Sequence, residues 1–122
     1  MNAQAAKLDL TSLFGAIDRM DVVTFESFLT EDSVFRFGNA QPVRGRSNVS
    51  EYVAGFFSSI KALKHNVLGV WEQNNVFTVQ GEVTYTRKDD RSVTVPFVNL
   101  FKTDGKLIRE YLVYVDASPL YS

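Results

Sequence analysis

The chain has 122 residues, with 13 basic and 14 acidic side chains, one histidine and no cysteine. That length fits one domain able to bury its own core, the near-cancelled charge argues against a nucleic-acid partner, and the missing cysteine removes disulfides, thiolate nucleophiles and cysteine-based metal sites. Lys7, Asp9, Asp18 and Arg19 interrupt any apolar leader, and no apolar run approaches the ~20 residues that cross a bilayer, so a cytoplasmic address and no membrane partner are expected.

The elements follow in chain order. Leu10, Leu13, Phe14 and Ile17 recur at helical spacing and predict a helix over roughly Ala5–Met20. Asp21 can cap a second, short helix that turns Val22, Phe25, Phe28 and Leu29 inward. Thr30-Glu31-Asp32-Ser33 ends it, and Val34–Phe37 reads as a short strand closed by Gly38-Asn39. Gly38, Pro42 and Gly45 mark a loop. Ser47 or Asn48 is the expected cap of a third helix; with Asn48 as cap, Glu51 completes a capping-box pattern. Val49, Val53, Phe56, Phe57 and Ile60 form its apolar stripe.

Four long strands come next, over roughly 65–73, 76–88, 91–103 and 107–116. Asn74-Asn75, Asp89-Asp90 and Asp104-Gly105 are the turns between them. The second strand alternates Phe77, Val79, Gly81, Val83 and Tyr85 with a polar set, the habit of an antiparallel sheet with one buried face. Pro96 cannot donate to a ladder and predicts a bulge or an edge. Helices first and strands afterwards make an α+β domain spanning 1–122.

This order resembles the nuclear transport factor 2-like superfamily, and within it the SnoaL-like branch. The resemblance rests on Phe28-Leu29-Thr30-Glu31-Asp32-Ser33-Val34-Phe35, Pro42-Val43-Arg44-Gly45, Asp104-Gly105-Lys106-Leu107-Ile108 and the closing Tyr114-Val115-Asp116. It implies a cone: a strongly curved, mostly antiparallel sheet wrapped around three N-terminal helices, with an apolar pocket between them. The superfamily holds ketosteroid isomerases, limonene-epoxide hydrolases, scytalone dehydratases and polyketide cyclases, as well as binding modules without chemistry, so fold alone does not fix function.

Candidate site residues follow from chemistry and from this resemblance. Asp116 ends the last strand, where SnoaL-like cyclases similarly carry a pocket carboxylate, although Asp116-Ala117-Ser118-Pro119 is equally a turn. His65 suits acid–base work, and pairing with Asp116 would strengthen that role. Tyr114 shares a face with Asp116 by the period of two, and Asn99 is a lone amide on the face of Val93, Val95, Phe97 and Phe101. Tyr85 and Phe57 complete the expected substrate contacts. Arg87 and Asp89 have a spacing found in limonene-epoxide hydrolases, but Asp89 falls in a turn; Phe35-Arg36-Phe37-Gly38 lacks the carboxylate of ketosteroid isomerases.

With ten Phe, five Tyr and Trp71, the aromatic content exceeds what a core of this size requires. An aromatic-lined cavity, an aromatic subunit interface or simply a Phe-rich core accounts for it. The expectation is a protein for a small hydrophobic molecule, acting without cofactor or metal by acid–base isomerase, cyclase or dehydratase chemistry on an apolar carbonyl or cyclic substrate. The alternative is a non-catalytic ligand-binding or scaffold module. A homodimer through the sheet, bearing Trp71 or Tyr111, is expected in either case.

Overall fold

A computed structural model describes residues 7–121. Helix α1 spans Leu10–Asp18, shorter than the pattern predicted; residues 5 and 6 of that prediction lie outside the described residues. Asp9 sets its start: Oδ1 accepts the Ser12 N–H at 3.2 Å and Oδ2 the Ser12 hydroxyl at 2.8 Å. These bonds satisfy donors that the first helical turn leaves orphaned and hold the Asp9 carboxyl below its ordinary range. Left-handed Met20, at φ 55°, turns the chain immediately after the helix. Asp21 repeats the device on Thr24 and opens α2, Val22–Glu26.

Strand β1 spans Leu29–Phe37, so Thr30–Ser33 belongs to the strand and does not merely end the helix. After the two-residue β2, Val43–Arg44, helix α3 runs Arg46–Ser59. Its N-cap is Gly45, at φ 93°, and Asn48 lies inside the helix with its amide donating to the Arg44 carbonyl at 3.0 Å. The expected Asn48–Glu51 capping box is therefore not formed: left-handed Gly45 turns the chain into the helix before Asn48 is reached.

The four long strands are β3 Ala62–Gln73, β4 Val76–Thr86, β5 Ser92–Asp104 and β6 Leu107–Val115. A 3-10 turn, Ser118–Tyr121, follows. The sheet order is β2-β1-β6-β5-β4-β3, with β1 parallel to β6 and every other pair antiparallel. Six strands curl around the helices without closing, leaving β2 and β3 as edges. No helix among the described residues is long and apolar enough to cross a membrane.

The curl has local causes. In β3, Val67 pairs with Gly81 and Gly69 with Gln80, so Leu68 is an extra residue. In β6, Glu110 pairs with Lys102 and Ile108 with Thr103, so Arg109 is another. Such bulges bend a strand and increase its twist. The register runs through Pro96 without a shift; Pro96 instead lies just past Phe97, the last β5 residue that β6 reaches. Gly81 lets the bent strand close in, because a Cβ there would stand 2.2 Å from the Asn66 carbonyl oxygen.

The concave face carries Phe77, Val79, Val83 and Tyr85 of β4, Val95, Phe97, Asn99 and Phe101 of β5, and Ile108, Tyr111 and Val113 of β6. Against it pack Leu13, Phe14 and Ile17 of α1, Phe25 of α2, and Val49, Val53 and Phe57 of α3. Full burial of a ring such as Phe25 or Phe101 contributes about 2–3 kcal/mol.

Two glycines separate close approach from helix propensity. Gly81→Ala should lower stability by about 2–4 kcal/mol, since backbone rather than a mobile side chain must give way. Gly55→Ala, on an exposed part of α3 with nothing within 4 Å, should gain ~0.5–1 kcal/mol. Urea unfolding of both variants checks this, and a neutral Gly81→Ala would refute the close-approach account.

Candidate active site

A cavity of about 100 Å³ lies between the concave face and the helices. Its walls are mostly rings: Phe25, Phe35, Phe37, Phe56, Phe57 and Phe97 among them. His65, Asn99, Tyr85 and Tyr111 interrupt this apolar surface, and Tyr52 and Tyr121 stand at its rim.

His65 projects from edge strand β3, where its ring meets Phe14 at 4.9 Å and Phe97 at 5.2 Å between centroids. Its Nδ1 is 2.7 Å from Asp18 Oδ1. Its backbone N–H also donates to both Asp18 carboxylate oxygens, at 3.2 and 3.1 Å. A carboxylate accepts and does not donate, so in this pairing Nδ1 carries a proton, and whenever the imidazole is neutral Nε2 is left as an acceptor. The His65 side chain is 9% exposed and that of Asp18 25%, which puts the carboxylate behind the imidazole and the imidazole in the wall.

Asn99 is 1% exposed, and its amide has no hydrogen-bond partner among the described residues; Oδ1 is completely buried and unsatisfied. Leaving such a group unpaired costs about 1–3 kcal/mol. Tyr111 is fixed by Phe101, Phe35 and Phe25, at centroid distances of 4.5, 5.1 and 6.2 Å. Burial, followed by the neighbouring Tyr85 and Asp18, pushes its phenol well above the usual tyrosine range. Burial, followed by Tyr121, does the same to Tyr85. Both phenols therefore stay protonated and can donate.

The structure brings His65, Asn99, Tyr85 and Phe57 to one cavity and leaves Asp116 and Tyr114 outside it. Asp116 is exposed and caps the turn: Oδ1 accepts the Ser118 N–H at 3.1 Å. The Ser118 hydroxyl and N–H hold its carboxyl below the ordinary range, so it is not an apolar-pocket acid. Tyr114 is 55% exposed on the convex face. Counting by twos from Ile108 points Leu112 and Tyr114 inward, but the extra residue Arg109 shifts the phase and turns Tyr111 and Val113 inward instead. Tyr111 thereby belongs to the cavity and not to an outer interface. Arg87 and Asp89 pair with each other at 3.1 Å beyond the cavity lining, so no epoxide-hydrolase-like set forms with Asp116.

Asp18, the partner of His65, carries a signal in the sequence. Leu10, Leu13, Phe14, Ile17 and Asp18 occupy positions i, i+3, i+4, i+7 and i+8 of one helical face. A carboxylate ending an apolar stripe is bound to sit at the core boundary, where it needs a donor. Tyr111 had no comparable signal, because nothing in residue type announces the bulge.

Residues 10–111 match the SnoaL-like domain family. The chain belongs to this family. No curated protein matches the sequence. Among solved structures, a nuclear transport factor 2-like protein of unknown function from Burkholderia pseudomallei superposes with a TM-score of 0.82 at 15% identity, covering 91% of this chain and 90% of that one. A protein described as a SnoaL-like polyketide cyclase from Jannaschia gives 0.81 at 20% identity, over 92% and 85% of the two chains. An epoxide hydrolase of the limonene-epoxide-hydrolase-like type from Mycobacterium tuberculosis gives 0.78 at 12% identity, over 92% and 83%. At these identities the likeness is one of fold.

An unpartnered buried amide should be a burden on folding. Asn99→Leu, of similar volume, is expected to raise stability by about 1–2 kcal/mol. Urea unfolding reads this directly; a loss of stability would mean that the amide is satisfied in solution.

Proposed function

We propose that this SnoaL-like domain binds a small uncharged carbonyl compound and moves a proton on it without a cofactor, as an isomerase, cyclase or dehydratase does. The observation that carries the reading is the Asp18–His65 pair in the wall of a cavity that also holds the unpartnered Asn99 amide. No Lys, Arg, Asp or Glu is among the residues lining that cavity, which favours a neutral ligand.

In this reading Asp18 keeps the proton on Nδ1 and fixes the ring, and Nε2 takes a proton from the carbon next to the substrate carbonyl. The electron pair moves into the carbonyl, and the oxygen that gains charge accepts hydrogen bonds from the Asn99 amide and the Tyr111 hydroxyl. His65 then returns the proton to another carbon, to an oxygen formed in ring closure, or to a departing hydroxyl. A positioned base is worth roughly 10²–10⁴ in rate, and one well-aimed oxyanion donor roughly 10²–10³. The likeness to a protein named as a polyketide cyclase is compatible with such enolate chemistry.

The test is hydrogen–deuterium exchange at the α-carbon of cyclic ketones in heavy water, followed by NMR. The wild-type chain should accelerate exchange. His65→Gln should lose on the order of 100-fold, Asp18→Asn a similar factor through the wrong tautomer, and Asp116→Asn should change little. Exchange undiminished in His65→Gln would refute the assignment, while ketone binding with no exchange by the wild type would favour a binding module.

We also propose that a second copy packs on the convex sheet face. Trp71 is 59% exposed, and in the register Trp71–Thr78–Leu100–Leu112 it begins a row, apolar but for Thr78, that Tyr114, paired with Val98, extends. Such a face is a natural isologous interface. Light scattering should give twice the 13.8 kDa chain mass, reduced to one chain by Trp71→Glu. A monomeric wild type would refute the pairing.

A further inference from the structure

The cavity of about 100 Å³ is small beside ligand sites, which commonly run from ~300 to 1,000 Å³. A carbonyl compound of even modest size therefore needs a wall that moves. Most walls are sheet and long helix, locked by ladders and packing. The turn Ser118–Tyr121 is an exception: it carries no ladder and is held to the β4–β5 turn by Arg87 on the Leu120 carbonyl.

Three observations single this turn out. Tyr121 lines the cavity yet is 68% exposed, so its ring is a partition between cavity and solvent. Arg87 Nη1 donates to the Leu120 carbonyl at 3.2 Å, and its Nη2 is braced by Asp89 at 3.1 Å. Behind the turn lies an open hollow of about 360 Å³, bordered by Ser59, Ile60, Lys88 and Tyr121, into which the turn can swing.

We infer that Ser118–Tyr121 is a movable outer wall of the cavity, that Arg87 is its latch, and that release of the latch sets the rate at which a ligand passes. This inference rests on the cavity being the ligand site proposed above. Leu120 acts as the hinge-side anchor: it is 3% exposed, and its N–H bonds within the turn to the Ala117 carbonyl at 2.9 Å. Arg87 holds the carbonyl of the same residue from the β4–β5 turn, so one guanidinium couples the wall to the sheet. Arg87 is accordingly a positioning residue, outside the cavity and not in contact with ligand.

The latch and the passage can be tested separately with Arg87→Ala. Without ligand, exchange of the Leu120 amide should quicken roughly fivefold to tenfold, the worth of one partly exposed charge-assisted bond, while amides of β4 and β5 stay protected. With Prodan, a neutral naphthyl ketone whose emission reports polarity, stopped-flow association and dissociation should both quicken several-fold with little change in Kd. Tyr121→Ala, which removes the partition itself, should also quicken both rates, and adding Arg87→Ala to it should quicken them little further. Unchanged Leu120 exchange would overturn the latch. Quickened exchange with unaltered Prodan rates, or a faster dissociation alone, would overturn its control of passage. Failure of the wild type to bind Prodan or any cyclic ketone would overturn the ligand reading itself and the passage role with it, while the amide exchange still decides the latch.

Discussion

The contact on which the site depends is the one between Asp18, the last residue of α1, and His65, near the start of β3. Strand β3 is an edge, so part of its backbone faces no neighbouring strand. Asp18 fills that vacancy by accepting the His65 N–H with both oxygens while also holding the imidazole. One carboxylate thus ties helix to sheet and fixes the orientation of the imidazole. Charge-assisted bonds of this kind are shorter and roughly twice as strong as neutral ones. Structural and chemical demands coincide at this residue, so a substitution there perturbs the joint and the ring together.

The second constraint is curvature. A flat sheet could not meet α1 at β3 and α3 at β1 at once. The bulges at Leu68 and Arg109 and the close approach at Gly81 bend the strands toward the helices. This explains what could be read from the sequence. The alternation of β4 was plain because turns fix both its ends and no residue interrupts it. The Asp9 and Asp21 caps have side chains suited to orphaned donors, and Asp21 was legible for that reason. In β6 the alternation was equally plain and misleading, because a one-residue bulge inverts faces while leaving composition untouched. Asn48 had the right chemistry for a cap, but backbone conformation at Gly45 decided the helix start.

The candidate site was half legible for related reasons. Asn99 stood out because an amide on an apolar strand face has a cost that composition alone exposes. His65 stood out as the sole histidine. Its partner lies 47 residues away, so the pairing depends on how α1 crosses the sheet, which local patterns do not specify. Asp116 shows the converse: a carboxylate followed two residues later by Ser118 suits a turn as well as a pocket, and only the strand end decides between them.

The composition of the cavity then narrows the chemistry the frame can support. Asp18 stands behind the imidazole and is not among the lining residues, so the cavity wall presents a hydrogen-bonded ring and not a bare carboxylate. The Arg–Asp spacing and final-strand Asp that resemble a limonene-epoxide hydrolase do not assemble, because Asp89 pairs with Arg87 in the β4–β5 turn and Asp116 caps the turn after β6. Proton transfer next to a carbonyl asks for less: one acceptor, one or two donors and a dry wall. His65, Asn99 and Tyr111 meet that requirement with the rings of the core supplying the dryness. Because those rings also hold the domain together, the apolar wall is part of the frame, and the few polar positions on the concave face are what set the chemistry of the cavity.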